Sequence, residues 1–364
     1  IRVGITTSLS GEYAELGLNE LHGVQMWAHD INLRAGLLGR KVIIVHYDDG
    51  SSPEKSARLY ERLIVQDHVD LLLGPYGSDI TFAASQVAGR YDIPMVATGA
   101  ASSRIWDQGL PNIYQIDTPA ADYMVPPLAL ARDKGLKRIA LIYADNEFPR
   151  EVAEGVRAAV TKYGMQLVYD QVYPQDNTDF RKIIQQMRTT RPEAVVGGSY
   201  FDDSVALVKA ICQAGMEPKM IALTVGPALD EFGEQLGSDA NGIMGAVAWM
   251  RGARIPLAYD FAFRYKEKYG INPSVAVAYG YGGGQVLEAA VRLAGSLDKD
   301  AITAQLKTMT FRSILGNYQV DASGKQVAKK AYTMQWQDGH RRLVIPERIA
   351  ESQVIFPLKP CSQR

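Results

Sequence analysis

Little in this chain points to covalent, redox or metal chemistry. Cysteine occurs twice in 364 residues, at Cys212 within a helical pattern (Ala206 to Ala214) and at Cys361 in a polar C-terminal tail. No structural disulfide is expected between them, and cysteine usage leaves the redox compartment open. There is no Gly-x-Ser-x-Gly elbow and no Cys/His pair at a strand end, so hydrolase chemistry has no support and the chain is not expected to be an enzyme. His22 and His29 share a helix face but lack a third ligand at metal spacing, and they are expected to pack or to face solvent. Asp48-Asp49-Gly50 is a strand-end turn, without the later positions of a calcium loop. No cofactor is expected either. Gly280-Tyr281-Gly282-Gly283-Gly284-Gln285 lies inside a helical pattern, where glycines serve close helix packing rather than a dinucleotide. No apolar stretch approaches the roughly 20 residues of a membrane span. The net charge is −1, and no Lys/Arg cluster is interleaved with aromatics, which argues against nucleic acid as a partner.

What is present is a long, ordinary globular composition, 47% hydrophobic and 22% charged, with room for two domains. The chain begins at Ile1 and enters a strand almost at once, which reads as a mature or trimmed form and allows a removed export signal. Arg2–Leu9 is apolar and β-branched. Glu12–Leu33 then carries Leu18, Leu21, Val24, Ala28 and Ile31 at helical spacing. Further strand–helix units follow at Lys41–Gln66, Val69–Arg90 and Pro94–Gln108. The pattern restarts with a helix over Tyr123–Lys134, a strand over Lys137–Tyr143 and a helix over Phe148–Tyr163. Strands at Gln166–Tyr173, Ala194–Tyr200, Met220–Thr224 and Gly242–Trp249 come next, with helices between most of them. Helices at Leu257–Tyr269 and Val275–Ala294 and short late strands at Val320, Tyr332–Trp336 and Leu343–Ile345 complete the chain. Two successive βαβ series imply an α/β fold of two doubly wound parallel sheets, with ligands bound beyond the carboxyl ends of the strands.

Two of those strand ends stand out. Val69–Leu73 runs into Gly74-Pro75-Tyr76-Gly77-Ser78, and Ile93–Ala97 runs into Thr98-Gly99-Ala100-Ala101-Ser102. Each reads as a buried strand feeding a helix N-terminus, where free N–H groups and partial positive charge accept a small anion such as a carboxylate. Taken singly, Ser78 and Ser102 read as N-caps. The strand ends of the second series, Tyr143–Phe148, Tyr200–Phe201 and Thr224–Gly226, are richer in aromatics. One unit is therefore expected to hold a polar head and the other to cover an apolar body.

Read in order, Leu9-Ser10-Gly11-Glu12-Tyr13-Ala14, Asp30-Ile31-Asn32, Asp48-Asp49-Gly50, Gly74 through Ser78 and Ala100-Ala101-Ser102 resemble the Leu/Ile/Val-binding-protein family. These are type I periplasmic solute receptors of ABC transporters. Asp145–Phe148, Asn177-Thr178-Asp179-Phe180, Gln213-Ala214-Gly215 and Asn272-Pro273 extend the resemblance over nearly the whole chain. It implies two lobes, 1–117 with 251–320 and 118–250 with 321–364. A three-crossing hinge near Ile116–Pro119, Trp249–Gly252 and Tyr318–Gly324 would join them. It also implies a small-molecule solute trapped by hinge closure and an ABC permease as partner. The expected location is the periplasm, or a tether on the outer face of the cell membrane, and the expected state is a monomer. A ligand-sensing domain of a regulator or receptor on the same fold is the alternative.

Carried over position by position, the ligand-binding residues are Leu16 as a wall and Tyr76, Gly77 and Ser78 in the first turn. Gly99, Ala100, Ala101 and Ser102 follow in the second turn, then Phe148 as a ring over the ligand, Tyr200 (or Phe201) as a second aromatic, and Gly226. Ser78 matches the family hydroxyl that binds the ligand carboxylate. At the second turn the matching position is Ala101, where only the backbone is available. Two acids that hold an α-ammonium in amino-acid receptors are missing. One position reads Ala120, with Asp122 close by. The other lies in Thr224-Val225-Gly226-Pro227, with no acid before Asp230. An acid or amide with an apolar or aromatic body therefore competes with an amino acid as the solute.

Overall fold

The computed structural model describes residues 1–252, 255 and 257–364. In chain order the first strands are β1 (Arg2–Thr7), β2 (Ile43–Asp48), β3 (Leu71–Leu73), β4 (Met95–Ala97) and β5 (Ile113–Gln115). They are followed by β6 (Arg138–Ala144), β7 (Gln166–Tyr173), β8 (Ala194–Gly198), β9 (Met220–Thr224) and β10 (Met244–Val247). The late strands are β11 (Phe311–Ser313), β12 (Gly316–Tyr318), β13 (Tyr332–Gln337) and β14 (His340–Ile345). The helices are α1 (Ala14–Leu33), α2 (Pro53–Val65), α3 (Ser78–Arg90), α4 (Arg104–Asp107), α5 (Val125–Asp133) and α6 (Glu147–Lys162). They continue with α7 (Arg181–Thr189), α8 (Phe201–Gln213), α9 (Asp230–Leu236), α10 (Ala258–Tyr269), α11 (Val275–Ala294) and α12 (Lys299–Thr308).

The chain divides into two compact units, Ile1–Pro119 with Arg254–Lys329, and Ala120–Ala253 with Lys330–Arg364. The last change of unit falls after Lys329, later than the Tyr318–Gly324 crossing that the resemblance implies. The reason is local: Gln115 donates its N–H to Gly324 O and accepts the Gln326 N–H at its side-chain oxygen, at 2.9 and 3.1 Å. Those bonds stitch the 319–327 segment to the edge of β5.

The first unit holds a parallel sheet in the order β2-β1-β3-β4-β5. Strands β3, β4 and β5 are buried at every residue, as expected of strands covered on both faces. The second unit holds the order β14-β13-β10-β9-β8-β6-β7, with β13 and β14 antiparallel. Within each sheet the strand order reverses once, between β1 and β3 and between β6 and β8. The crevice at such a reversal is where doubly wound sheets receive ligands.

Helix α1 lies against α11 through glycines. A Cβ on Gly280 would stand 2.1 Å from Glu20 O, and one on Gly23 would stand 2.0 Å from Val277 O. The glycine run therefore serves close helix packing, as expected. His22 stacks on Tyr269 at 4.8 Å. The α12 helix and the β11–β12 hairpin have no counterpart in the sequence reading. Val320 forms only an isolated bridge with Gln326.

One expectation is overturned. Cys212 and Cys361 form a disulfide across 149 residues of sequence, with a Cα–Cα distance of 5.5 Å. The polar tail is docked rather than free: Leu358 is 7% exposed and its N–H donates to Lys219 O at 2.8 Å. The Arg364 guanidinium donates to Asp239 O at 2.9 Å. Docking brings Cys361 to the end of α8, a tertiary effect that composition does not reveal.

Candidate functional site

In the first unit, β3 ends at Leu73 and the chain turns through Gly77 into α3. Gly77 sits at φ 98°, ψ 131°, a conformation that a side chain would strain. Tyr76 pairs with Gly99 in a parallel bridge, and the Gly77 N–H donates to Gly99 O at 3.0 Å. The two serine turns are thereby zipped side by side. Ser78 is not the N-cap of α3, since Gly77 holds that place and no side chain caps it. The Ser78 Oγ instead accepts the N–H groups of Ala101 (3.2 Å) and Ser102 (3.1 Å). A hydroxyl has two acceptor lone pairs and one hydrogen, so Ser78 keeps its hydrogen to donate. The Ala101 N–H, expected as a free donor, is consumed by this bond. Ser102 makes up for it: its hydroxyl is 1% exposed and has no partner among the described residues. The second turn feeds a helix of only four residues, α4, so its N–H groups act one by one rather than through an extended helix dipole.

Beneath the turns lies a residue that sequence reasoning missed. Glu20 is fully buried on α1, and its Oε2 has no hydrogen-bond partner among the described residues. The Thr98 Oγ1 stands 2.6 Å from Glu20 Oε1 and 2.6 Å from Gly74 O. One hydroxyl hydrogen cannot serve both acceptors at once. When Thr98 donates to Gly74 O, the short contact with Glu20 requires a proton on the carboxyl. Burial, aided by the charge of Asp49, pushes Glu20 up to about 8 against the opposing Thr98 bond. The floor of the turns is therefore neutral at pH 7, as an anion site requires. Glu20 shares a helix face with Leu16 and Val24, and this spacing was the available signal. Leu16 itself is 6% exposed, and Tyr13 meets Tyr76 edge-on at 5.9 Å. Ala100 is buried, and its carbonyl and that of Ala101 accept from Gln115 Nε2 at 3.4 and 3.3 Å.

The second unit has its own strand-end group. Asn146 caps α6 by accepting the Glu147 N–H, which sets Phe148 in the first turn. Phe148 is 8% exposed, edge-on to Tyr123 at 5.2 Å and 6.3 Å from Tyr200. Tyr200 donates its N–H to Asp203 Oδ1 at 2.7 Å, and Tyr173 donates its hydroxyl to Asp203 Oδ2 at 2.8 Å. Tyr200 is thus the aromatic beside Phe148, while Phe201 packs against the core. Ser199 and Thr224 clamp the ends of β8 and β9 through three side-chain–backbone bonds, two to the Thr224 hydroxyl and one from the Ser199 hydroxyl. Past the clamp, Val225 adopts φ 51°, ψ −71°, a strained region for a β-branched residue. Gly226 is buried, and a Cβ there would stand 2.6 Å from Tyr200 O; close packing alone requires glycine. Asp230 is engaged by Arg341 at 2.6 Å, and Ala120, which stands where amino-acid receptors of the family carry an acid, is fully buried in a short turn.

Comparison with known proteins agrees with this architecture. A family model described as periplasmic binding protein matches residues 1–341. A Leu/Ile/Val-binding protein homolog 7 of Brucella abortus (strain 2308) is 26% identical over 378 residues, covering 98% of this chain and 94% of the relative. The LivJ substrate-binding protein of Streptococcus pneumoniae, solved in complex with isoleucine, superposes with a TM-score of 0.85 at 23% identity, covering 98% of this chain and 99% of that one. A solute-binding protein of an ABC transporter from R. palustris, solved in complex with benzoate, gives 0.83 at 20% identity, covering 94% of each chain. These two similarities speak to fold. The family model spans nearly the whole sequence, and the chain belongs to the periplasmic binding protein family.

Proposed function

We propose that this protein is an extracytoplasmic solute receptor of an ABC transporter, binding a small carboxylate and delivering it to a membrane permease. The observation that carries the reading is the convergence of two hydroxyls. The Ser78 Oγ is locked by two backbone N–H groups with its own hydrogen left to donate, and the unengaged, buried Ser102 Oγ lies on the same turn pair. Each charge-assisted hydrogen bond contributes about 1.5–3 kcal/mol, against roughly 8 kcal/mol for a micromolar ligand. Leu16 and Tyr76 from the first unit, with Phe148 and Tyr200 from the second, supply the remainder by burying the ligand body. A ligand touching both units favours the closed form, because only that form makes both sets of contacts. The Cys212–Cys361 disulfide supports an oxidising location. Among the described residues no helix is long and apolar enough to cross a membrane.

Ser102→Ala is the clean test, since its hydroxyl has no partner among the described residues. Calorimetric affinity for carboxylates falls about tenfold while the ligand-free melting temperature stays put. Undiminished affinity in that variant rejects the assignment.

A further inference from the structure

The edge of the first unit carries a buried cation with nothing to bind. Lys329 is 5% exposed, and its Nζ has no hydrogen-bond partner among the described residues. Among the described residues, the Nζ stands 5.7 Å from the Tyr279 ring centroid, and the charge of Asp117 acts on it through space. Such a group is expensive, because a desolvated ammonium keeps its charge only where something compensates it.

Its place in the fold ties it to the serine turns. Strand β5 pairs with β4, so Gln115 lies beside Ala97. The Gln115 amide nitrogen reaches the carbonyls of Ala100 and Ala101, and its amide oxygen accepts the Gln326 N–H. One side chain thus joins the second serine turn to the segment that ends at Lys329. Asp117, two residues past the end of the same strand, acts electrostatically on both Tyr76 and Lys329.

We infer that Lys329 is an anion-binding side chain of this edge, so that the ligand is an acid presenting negative charge there and no ammonium. The inference rests on the carboxylate reading of the two turns and narrows it. An α-amino acid would place a second cation against an already unpaired one. Burial pulls the Lys329 ammonium down to about 8, with Asp117 opposing, so it remains charged at neutral pH and an arriving anion stabilises that charge. The other titratable groups near this edge are Tyr279, Tyr76 and the neutral Glu20.

The test is calorimetry on the full chain with benzoate, 4-methylpentanoate, adipate, leucine and phenylalanine. Acids are expected to bind at least about tenfold tighter than the two amino acids. Lys329→Met weakens the acids by about tenfold or more and narrows that preference. A loss shared by all three acids means that Lys329 meets the same carboxylate as the serines; a loss confined to adipate means that it meets a second acid group. The ligand-free Lys329→Met protein keeps or gains melting temperature, because an uncompensated charge has been removed. Unchanged acid binding overturns the inference, as does a lowered ligand-free melting temperature, which would make Lys329 a structural partner of Asp117. If Ser102→Ala and Ser78→Ala bind normally while Lys329→Met does not, the serine reading fails and Lys329 stands. Failure of all five probes to bind the wild type rejects both. Acid affinity of the wild type also falls as pH rises through about 8. Lys329→Met reduces that slope, leaving the share that Glu20 contributes in the same window.

Discussion

A single proton on Glu20 governs the floor beneath the serine turns. Its folded value of about 8 lies above the ordinary 4.5, so between those values the folded chain holds a proton that the unfolded chain releases. Stability from this group is therefore complete below about pH 4.5 and drains away as pH climbs to about 8. Glu20→Gln keeps the shape without the titration. Denaturant unfolding at about pH 5, 6.5 and 8 should show the wild type losing on the order of 3–5 kcal/mol relative to the variant. Parallel stability curves would remove the proton from the account. Asp49, also buried and shifted upward by burial, is common to both proteins and cancels in the difference. The residue was only half legible. Its spacing from Leu16 and Val24 places it on the inward face of α1, but a glutamate in a helix ordinarily reads as solvated. What covers its carboxyl is the second serine turn some 78 residues later, where Thr98 Oγ1 stands 2.6 Å from Oε1 and a Cβ on Gly99 would stand 3.3 Å from it.

At the scale of elements, the seam between α1 and α11 holds Glu20 in place. Alanine in a helix interior is usually better than glycine by about 1 kcal/mol. At position 280 the sign reverses, because the added Cβ would stand 2.1 Å from the Glu20 carbonyl oxygen. Gly280→Ala should destabilise by about 1–3 kcal/mol through overpacking, read as a lower denaturant midpoint. A stabilised variant would show that the helices do not meet as closely as described. The bounds of α11 at Val275–Ala294 follow from its apolar periodicity and agree between sequence and structure. The identity of its partner does not follow, since periodicity marks a buried face without saying what covers it. The serine turns divide the same way. Their glycines and hydroxyls mark strand ends, but the donation of the Ala101 and Ser102 N–H groups to Ser78 depends on the Tyr76–Gly99 bridge between separate strands.

For the molecule as a whole, one covalent link ties the C-terminal tail to α8. Closing a loop of 149 residues restricts the unfolded chain by about 5 kcal/mol in the entropy model. Cys212→Ala should therefore lower unfolding free energy by on the order of 3–5 kcal/mol, with ligand affinity at neutral pH retained. Equal stability of oxidised and reduced protein would show the tail to be held by Leu358 and its neighbours alone.

The sequence by itself determined the alternation of strands and helices, the two parallel sheets, the glycine seam and the strand ends that carry Ser78, Ser102, Phe148 and Tyr200. These depend on local periodicity and on where apolar runs stop, which are properties of neighbouring residues. Only the tertiary structure decided the disulfide, the burial of Glu20, the exchange of roles between Ala101 and Ser102, and the isolation of Lys329. Each of those depends on which distant segment fills the space around a polar group, and a linear pattern carries no distances.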